Sequence, residues 1–399
     1  MTLISDRYKV LGAGISSLTL TMGVARFAYT PLLPLMQQQA NLGVAEAGWL
    51  AAINYAGYLT GALLASWIND LVLKDRLYRI GMVVAIVTTA MMGMTTDPTT
   101  WAVSRYFAGL STTAGMLLGT ALILNWLIRH DYRRELGVHF SGVGLGIVFS
   151  AAAVALMNRW QLDWHEQWYA FTAAGCILLV PALACLPAPD RSTVTRSGQV
   201  MADAPPGANF LRVLMAYYFC AGVGYVVSAT FIVAIVDRLP ELSGDGTLVF
   251  LVIGLGGVPS CVIWDLVARR TGELNALILA SVIQIAGIVL PVAGNGLLLA
   301  LAGAVLFGGT TVGIVSLVLT TAGRYYPTRP AKMMGKMTLW FGIAQVIAPA
   351  VIGVMATHLG GYRVGLYLAS AAMLVGVVLL VVLRLVDVGA RKPIGANSV

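Results

Sequence analysis

The sequence predicts an all-α membrane protein of 12 transmembrane helices, forming two six-helix bundles related by pseudo-twofold symmetry. Three observations carry this expectation. Of 399 residues, 58% are hydrophobic and only 11% charged, about half the charged share of a soluble domain. No soluble core of this size hides so much apolar surface. The apolar residues fall into twelve runs, and a helix of about 20 residues crosses the hydrocarbon layer. Lys and Arg, finally, gather on one side of those runs.

Taken in order, the first run covers 10–36 and follows Arg7 and Lys9. It is too long for the apolar part of a signal peptide and lacks an A-x-A site, so it reads as an uncleaved span. The next runs are 47–68, 77–95, 99–128, 136–157 and 165–186. Trp160, Trp164 and Trp168 flank the last of these and read as an interfacial belt. A polar stretch with Pro189, Pro205, Pro206 and Gly207 follows and reads as a linker. Six more runs come after it: 210–236, 247–267, 276–292, 297–322, 331–357 and 362–386. Lys336, under two turns into its run, is expected to snorkel to the surface. Helices are expected rather than a barrel, whose strands alternate over about ten residues. The expected organisation is a bundle over 1–187, a linker over 188–209 and a second bundle over 210–399.

With the N-terminus placed in the cytoplasm, 20 of the 25 Lys and Arg fall on inner segments. The outer loops hold three, Arg159, Arg238 and Arg363, and two, Arg26 and Arg105, lie inside runs. Both termini are therefore expected in the cytoplasm, with the chain in a bacterial inner membrane. The same sorting accounts for the net charge of +8. No basic stripe carries interleaved aromatics, which excludes a nucleic-acid partner. Cys176, Cys185, Cys220 and Cys261 lie in apolar runs without a CxxC pair and read as core residues, not metal ligands. There is no nucleotide loop, no HExxH and no Cys/His ligand cluster, so no catalytic residue, metal or cofactor is expected and an enzyme is disfavoured. A receptor is disfavoured too, because no loop or tail is large enough for an output domain. The expected partners are a small-molecule substrate, membrane lipid and, as a coupling ion, the proton, with the chain a monomer.

The two halves echo one another. Asp70-Leu71-Val72-Leu73-Lys74 recurs as Asp265-Leu266-Val267-Ala268-Arg269, Gly23-Val24-Ala25 as Gly222-Val223-Gly224, and Phe107-Ala108-Gly109 as Phe307-Gly308-Gly309. Same-orientation repeats with a site between them are a recurrent transporter plan. Six plus six helices, a central linker and paired Asp-basic loops resemble the major facilitator superfamily over essentially the whole chain. Its helix-four signature is met by Arg105 and Gly109, and its loop signature is met in degenerate form around Asp70. The proline of its antiporter signature is missing from Gly142-Val143-Gly144-Leu145-Gly146. Gly23 through Met36 (GVARFAYTPLLPLM) and His139 through Gly146 (HFSGVGLG) are similar to the first and fifth helices of the YbfB/YjiJ-type branch. The resemblance implies alternating access by two rocking halves, with the first helix lining a central cavity. It further implies that Asp70 and Asp265 are gating or structural acids, each facing a helix N-terminus and basic groups when the cytoplasmic side is shut.

A charge deep in lipid is costly, so it usually faces a cavity or a partner. Arg26 is expected near the midplane with Tyr29 and Thr30 on its face, where a guanidinium suits a carboxylate or phosphate. Arg105 is a second candidate anion ligand. Neither has a deep acid nearby, since Glu46, Asp70 and Glu135 lie at helix ends, and fixed positive charge favours anions. His139, with Glu135 four residues before it, is a candidate for proton coupling. Asn54, Tyr55, Tyr58, Tyr218, Tyr225, Gln284, Thr310, Thr311 and Gln345 are uncharged polar candidates, each balanced against a role as interhelical glue. The reading at this point is a secondary transporter of a small, anionic organic solute. Efflux of hydrophobic or toxic compounds is the alternative.

Overall fold

The computed structural model describes residues 6–132, 136–189, 195–198, 200–236, 246–293, 297–359 and 363–390. Twelve helical spans account for nearly all of them. They are α1 (Asp6–Gln39), α2 (Val44–Trp67), α3 (Leu71–Met94), α4 (Pro98–Arg129), α5 (Gly137–Arg159) and α6 (Trp164–Ala184). The second set is α7 (Ala208–Val236), α8 (Gly246–Thr271), α9 (Glu273–Ala293), α10 (Leu297–Tyr325), α11 (Pro330–Leu359) and α12 (Arg363–Ala390). Among the described residues, 10 are long and apolar enough to cross a membrane by composition, and α2 and α11 have the length, 24 and 30 residues. Several spans outrun the apolar runs that predict them. Hydropathy registers only the hydrocarbon layer, whereas a helix continues into the headgroups.

Local chemistry sets the ends. Asp70 caps α3 by accepting from Val72 N–H at 2.9 Å. Asp97 caps α4, with Pro98 in its first turn, by accepting from the backbone and hydroxyl of Thr100 at 2.8 and 2.7 Å. Those bonds hold the Asp97 carboxyl below its usual range. At α6, Glu166 reaches back to Asp163 N–H at 2.9 Å. Gly272, at φ +90°, makes the left-handed turn between α8 and α9.

Packing runs through small residues. A methyl on Gly109 of α4 would fall on the carbonyl oxygen of Asn54 in α2, and one on Gly308 of α10 on that of Ile253 in α8. The same contact thus recurs in both halves at one spacing. On the outside, Ile80, Val83 and Val87 of α3, Ile177 and Val180 of α6, and Leu374, Val375 and Val378 of α12 are exposed. These faces meet lipid, where apolar exposure is the favourable state.

Two seams join the halves toward the end that carries the linker. In one, Gly335 of α11 lies against Ala62 of α2, with 2.9 Å from an added Cβ to the carbonyl oxygen. In the other, Gly144 of α5 lies against Gly257 and Val258 of α8, and Gly254 of α8 against Ile147 and Val148. The linker spans the same end. Arg196 N–H bonds to Arg129 O at 2.7 Å and Ser197 to Asp131 at 2.8 and 2.9 Å, while Ala204 N–H bonds to Tyr325 O at 3.0 Å. Asp203 accepts from the backbone and hydroxyl of Thr328 at 3.1 and 2.7 Å and from Arg329 at 3.2 Å. Burial opposes its charge, but these donors outweigh that and hold its carboxyl below the usual value.

Candidate functional site

The site begins with an irregularity in α1. Thr19–Phe27 is π-helical, and Ala28 N–H bonds five residues back to Gly23 O at 2.9 Å. Pro31 and Pro34 follow directly and remove two donors. Wider coils of this kind recur at functional sites. Here Ala25 O is taken by Arg105 Nη1 of α4 at 3.0 Å. A second π-helical stretch, Ala114–Gly119, lies in α4 beside the first, with Gly115 against Thr21.

Arg26, in the last turn of the first π stretch, lines a cavity of about 80 Å³ between the halves. Met22, Phe27, Tyr58, Met116, Val143 and Ile147 line it from α1, α2, α4 and α5. Tyr218, Tyr225, Ile253, Phe307, Thr311, Phe341 and Gln345 are among those lining it from α7, α8, α10 and α11. The Arg26 guanidinium lies over the rings of Tyr55 and Tyr58, 4.7 and 5.1 Å from their centroids. Among the described residues it meets no carboxylate. The acids Asp75, Asp203, Asp265 and Glu273 sit toward the linker end, paired with Arg79, Arg329, Arg269 and Arg324.

Six of the candidates therefore share the cavity: Arg26, Tyr58, Tyr218, Tyr225, Thr311 and Gln345. Arg105, Tyr29 and Asn54 form a neighbouring cluster outside it. Arg105 is 3% exposed and lies over the Tyr29 ring at 4.6 Å, and Asn54 Nδ2 donates to Arg105 O at 2.9 Å. In this structure Asn54 therefore joins α2 to α4, and Arg105 holds the carbonyl that the π stretch displaces. Gln284 stands behind the wall and donates to Thr311 at 3.2 Å, while the Thr310 hydroxyl bonds within its own helix.

His139 is fully buried between α1 and α4. Its Nε2 is 2.8 Å from the Thr120 hydroxyl, which itself donates to Met116 O at 2.6 Å. Glu135, its expected partner, lies outside the described residues. The two gating acids are not equivalent. Asp70 stands at a helix start, whereas Asp265 lies inside α8, paired with Arg269 and tucked beneath Gly137 at the start of α5. The sequence echo placed both in loops. The fold places them differently because α2 ends at Trp67, before Asp70, whereas α8 runs unbroken through Asp265 to Thr271.

Sequence reasoning missed Phe27, Phe307, Phe341, Met22 and Met116. In a lipid-soluble chain an apolar residue carries no mark of the direction it faces.

A family model described as "Uncharacterised MFS-type transporter YbfB" matches residues 18–381. The chain belongs to this family of the major facilitator superfamily. It is also similar to the uncharacterised MFS-type transporter YceJ of Bacillus subtilis (strain 168), with 23% identity over 270 residues, 66% of this chain and 67% of that one. Among solved structures, the human organic anion transporter MFSD10 (TETRAN) matches with a TM-score of 0.77 at 15% identity, covering 94% of this chain and all of that one. That likeness is one of fold. The protein is thus a multi-pass membrane transporter of the major facilitator fold and not an enzyme.

Proposed function

We propose that the protein is a secondary transporter that moves a small organic anion by alternating access, with Arg26 as the anion clamp. The observation that carries this reading is the uncompensated guanidinium in a cavity walled by both halves. A buried cation without an acid is costly, and a bound carboxylate would relieve that cost by charge-assisted hydrogen bonds. Arg105 lies within electrostatic reach and adds to the positive field. That a protein of the same fold, MFSD10, is an organic anion transporter agrees with this reading. On the reading that both termini are cytoplasmic, drawn from the sorting of basic residues, the seams and linker shut the cytoplasmic end. His139, in contact with Thr120 one turn beyond Met116 on α4, is the candidate for proton coupling.

Efflux of hydrophobic compounds is the second reading, favoured by the aromatic walls. Counterflow of candidate anions in proteoliposomes separates the two. Arg26→Ala should weaken apparent affinity at least about 30-fold, with Arg26→Lys intermediate because it keeps charge but loses the fork. Unchanged anion transport by Arg26→Ala, or transport of neutral lipophiles alone, overturns the anion reading.

A further inference from the structure

We propose that the cavity is built for a small aromatic carboxylate bearing a hydroxyl group, with the carboxylate on Arg26, the ring against the C-terminal wall and the hydroxyl at Gln345. This rests on the anion reading and narrows it.

The C-terminal wall is an ordered array of rings. Tyr218 and Phe341 lie 4.6 Å apart at 27°, Phe341 and Tyr225 5.6 Å apart at 25°, and Tyr225 and Phe307 6.3 Å apart at 6°. In this chain of four rings from α7, α10 and α11 each neighbouring pair lies within 27° of parallel, and all four line the cavity. Aliphatic side chains fill a site against lipid-like groups equally well. Aligned ring faces add a preference for another flat ring. Across from them stand Met22 and Met116, whose sulfur atoms also favour ring edges.

The cation is oriented as well. Tyr55 and Tyr58 turn their ring faces to the Arg26 guanidinium, and because Arg26 lines the cavity a carboxylate there can meet it as a charge-assisted pair. Arg105 is outside the cavity lining, with its Nη1 on Ala25 O, so a second carboxylate in the cavity finds no equivalent fork. Gln345 is 6% exposed, lines the cavity and has a buried Oε1 without a hydrogen-bond partner. A buried acceptor left unmet is unfavourable, and an O–H on the ligand supplies its donor. At about 80 Å³ the cavity is far below the roughly 300 Å³ at which pockets for drug-sized ligands begin. One ring suits it and a bulky conjugate does not.

The test is calorimetric titration of the purified full-length protein in nanodiscs with 4-hydroxybenzoate, benzoate, cyclohexanecarboxylate and 4-hydroxybenzyl alcohol. The expected order is 4-hydroxybenzoate first, benzoate about tenfold weaker, and cyclohexanecarboxylate about tenfold weaker again. The alcohol should show no measurable binding. Gln345→Leu should bring the two benzoates together, and Phe341→Leu should bring benzoate and cyclohexanecarboxylate together. The ligand series on the parent protein decides the matter even if a variant does not fold. Equal binding of cyclohexanecarboxylate and benzoate, both lost in Arg26→Ala, overturns the aromatic assignment and leaves the anion reading standing. Equal binding of alcohol and carboxylate, or affinity indifferent to Arg26→Ala, overturns both. Absence of binding by all four overturns the aromatic assignment.

Discussion

Arg26 and Arg105 are the same side chain held in two ways. Arg105 is tied into the scaffold through Ala25 O, with Asn54 on its own carbonyl. Arg26 touches rings and open cavity. Their substitutions should therefore part company in thermal unfolding. Arg105→Met strands the Ala25 carbonyl and should cost about 1–3 kcal/mol of stability. Arg26→Met removes an unpaired buried charge, so the melting temperature should hold or rise while anion binding falls. A lower melting temperature for Arg26→Met than for Arg105→Met would contradict this division. Both arginines were visible in the sequence, because charge inside an apolar run is conspicuous. Their different employment was not, since it depends on a displaced carbonyl that no residue pattern announces. Phe341 and Phe307 show the opposite limit: chemically informative, yet indistinguishable in sequence from residues that face lipid.

At the scale of the element, the twelve spans were legible almost to their ends, while the two π stretches left no trace. Hydropathy reports which segments prefer lipid and is blind to how tightly each one coils. Close contacts were partly legible, in that Gly109 and Gly308 sit in the Phe-Ala-Gly and Phe-Gly-Gly echoes. The structure pairs Gly109 with Asn54 and Gly308 with Ile253. Gly109→Ala and Gly308→Ala should each destabilise by about 1–3 kcal/mol through overpacking, read by thermal unfolding. The linker offers a gentler test. Asp203→Asn keeps the shape of its contacts with Thr328 and removes the charge facing Arg329, so a loss of about 1 kcal/mol is expected. Because the Asp203 carboxyl is held below its usual value, its contribution is present above the ordinary carboxylate range. It fades only as pH falls through the lowered value. The parent and Asp203→Asn should therefore converge in acid and diverge near neutrality.

For the whole molecule, the shut end rests on two seams, and one can be locked. An added Cβ on Gly335 lies 3.1 Å from Ser66 Cβ, a little inside the roughly 3.5–4.5 Å that a disulfide spans. Ser66→Cys with Gly335→Cys, in a background without native cysteines, should cross-link on oxidation and stop transport, with recovery on reduction. Transport that survives full cross-linking would show that the halves need not part there. The plan of two six-helix sets was readable from echoes such as Phe107-Ala108-Gly109 and Phe307-Gly308-Gly309 and from basic-residue sorting. The cavity between the halves was not, because it arises from side chains hundreds of positions apart.

The second seam has a different consequence. Where Gly144 meets Gly257 and Val258, backbone packs directly on backbone. Parting at that point exposes little side-chain surface to be rehydrated. A single methyl acts there as a wedge. Gly144→Ala should tilt the resting population toward the form open on the linker side, seen as faster labelling of an introduced cysteine at Val258.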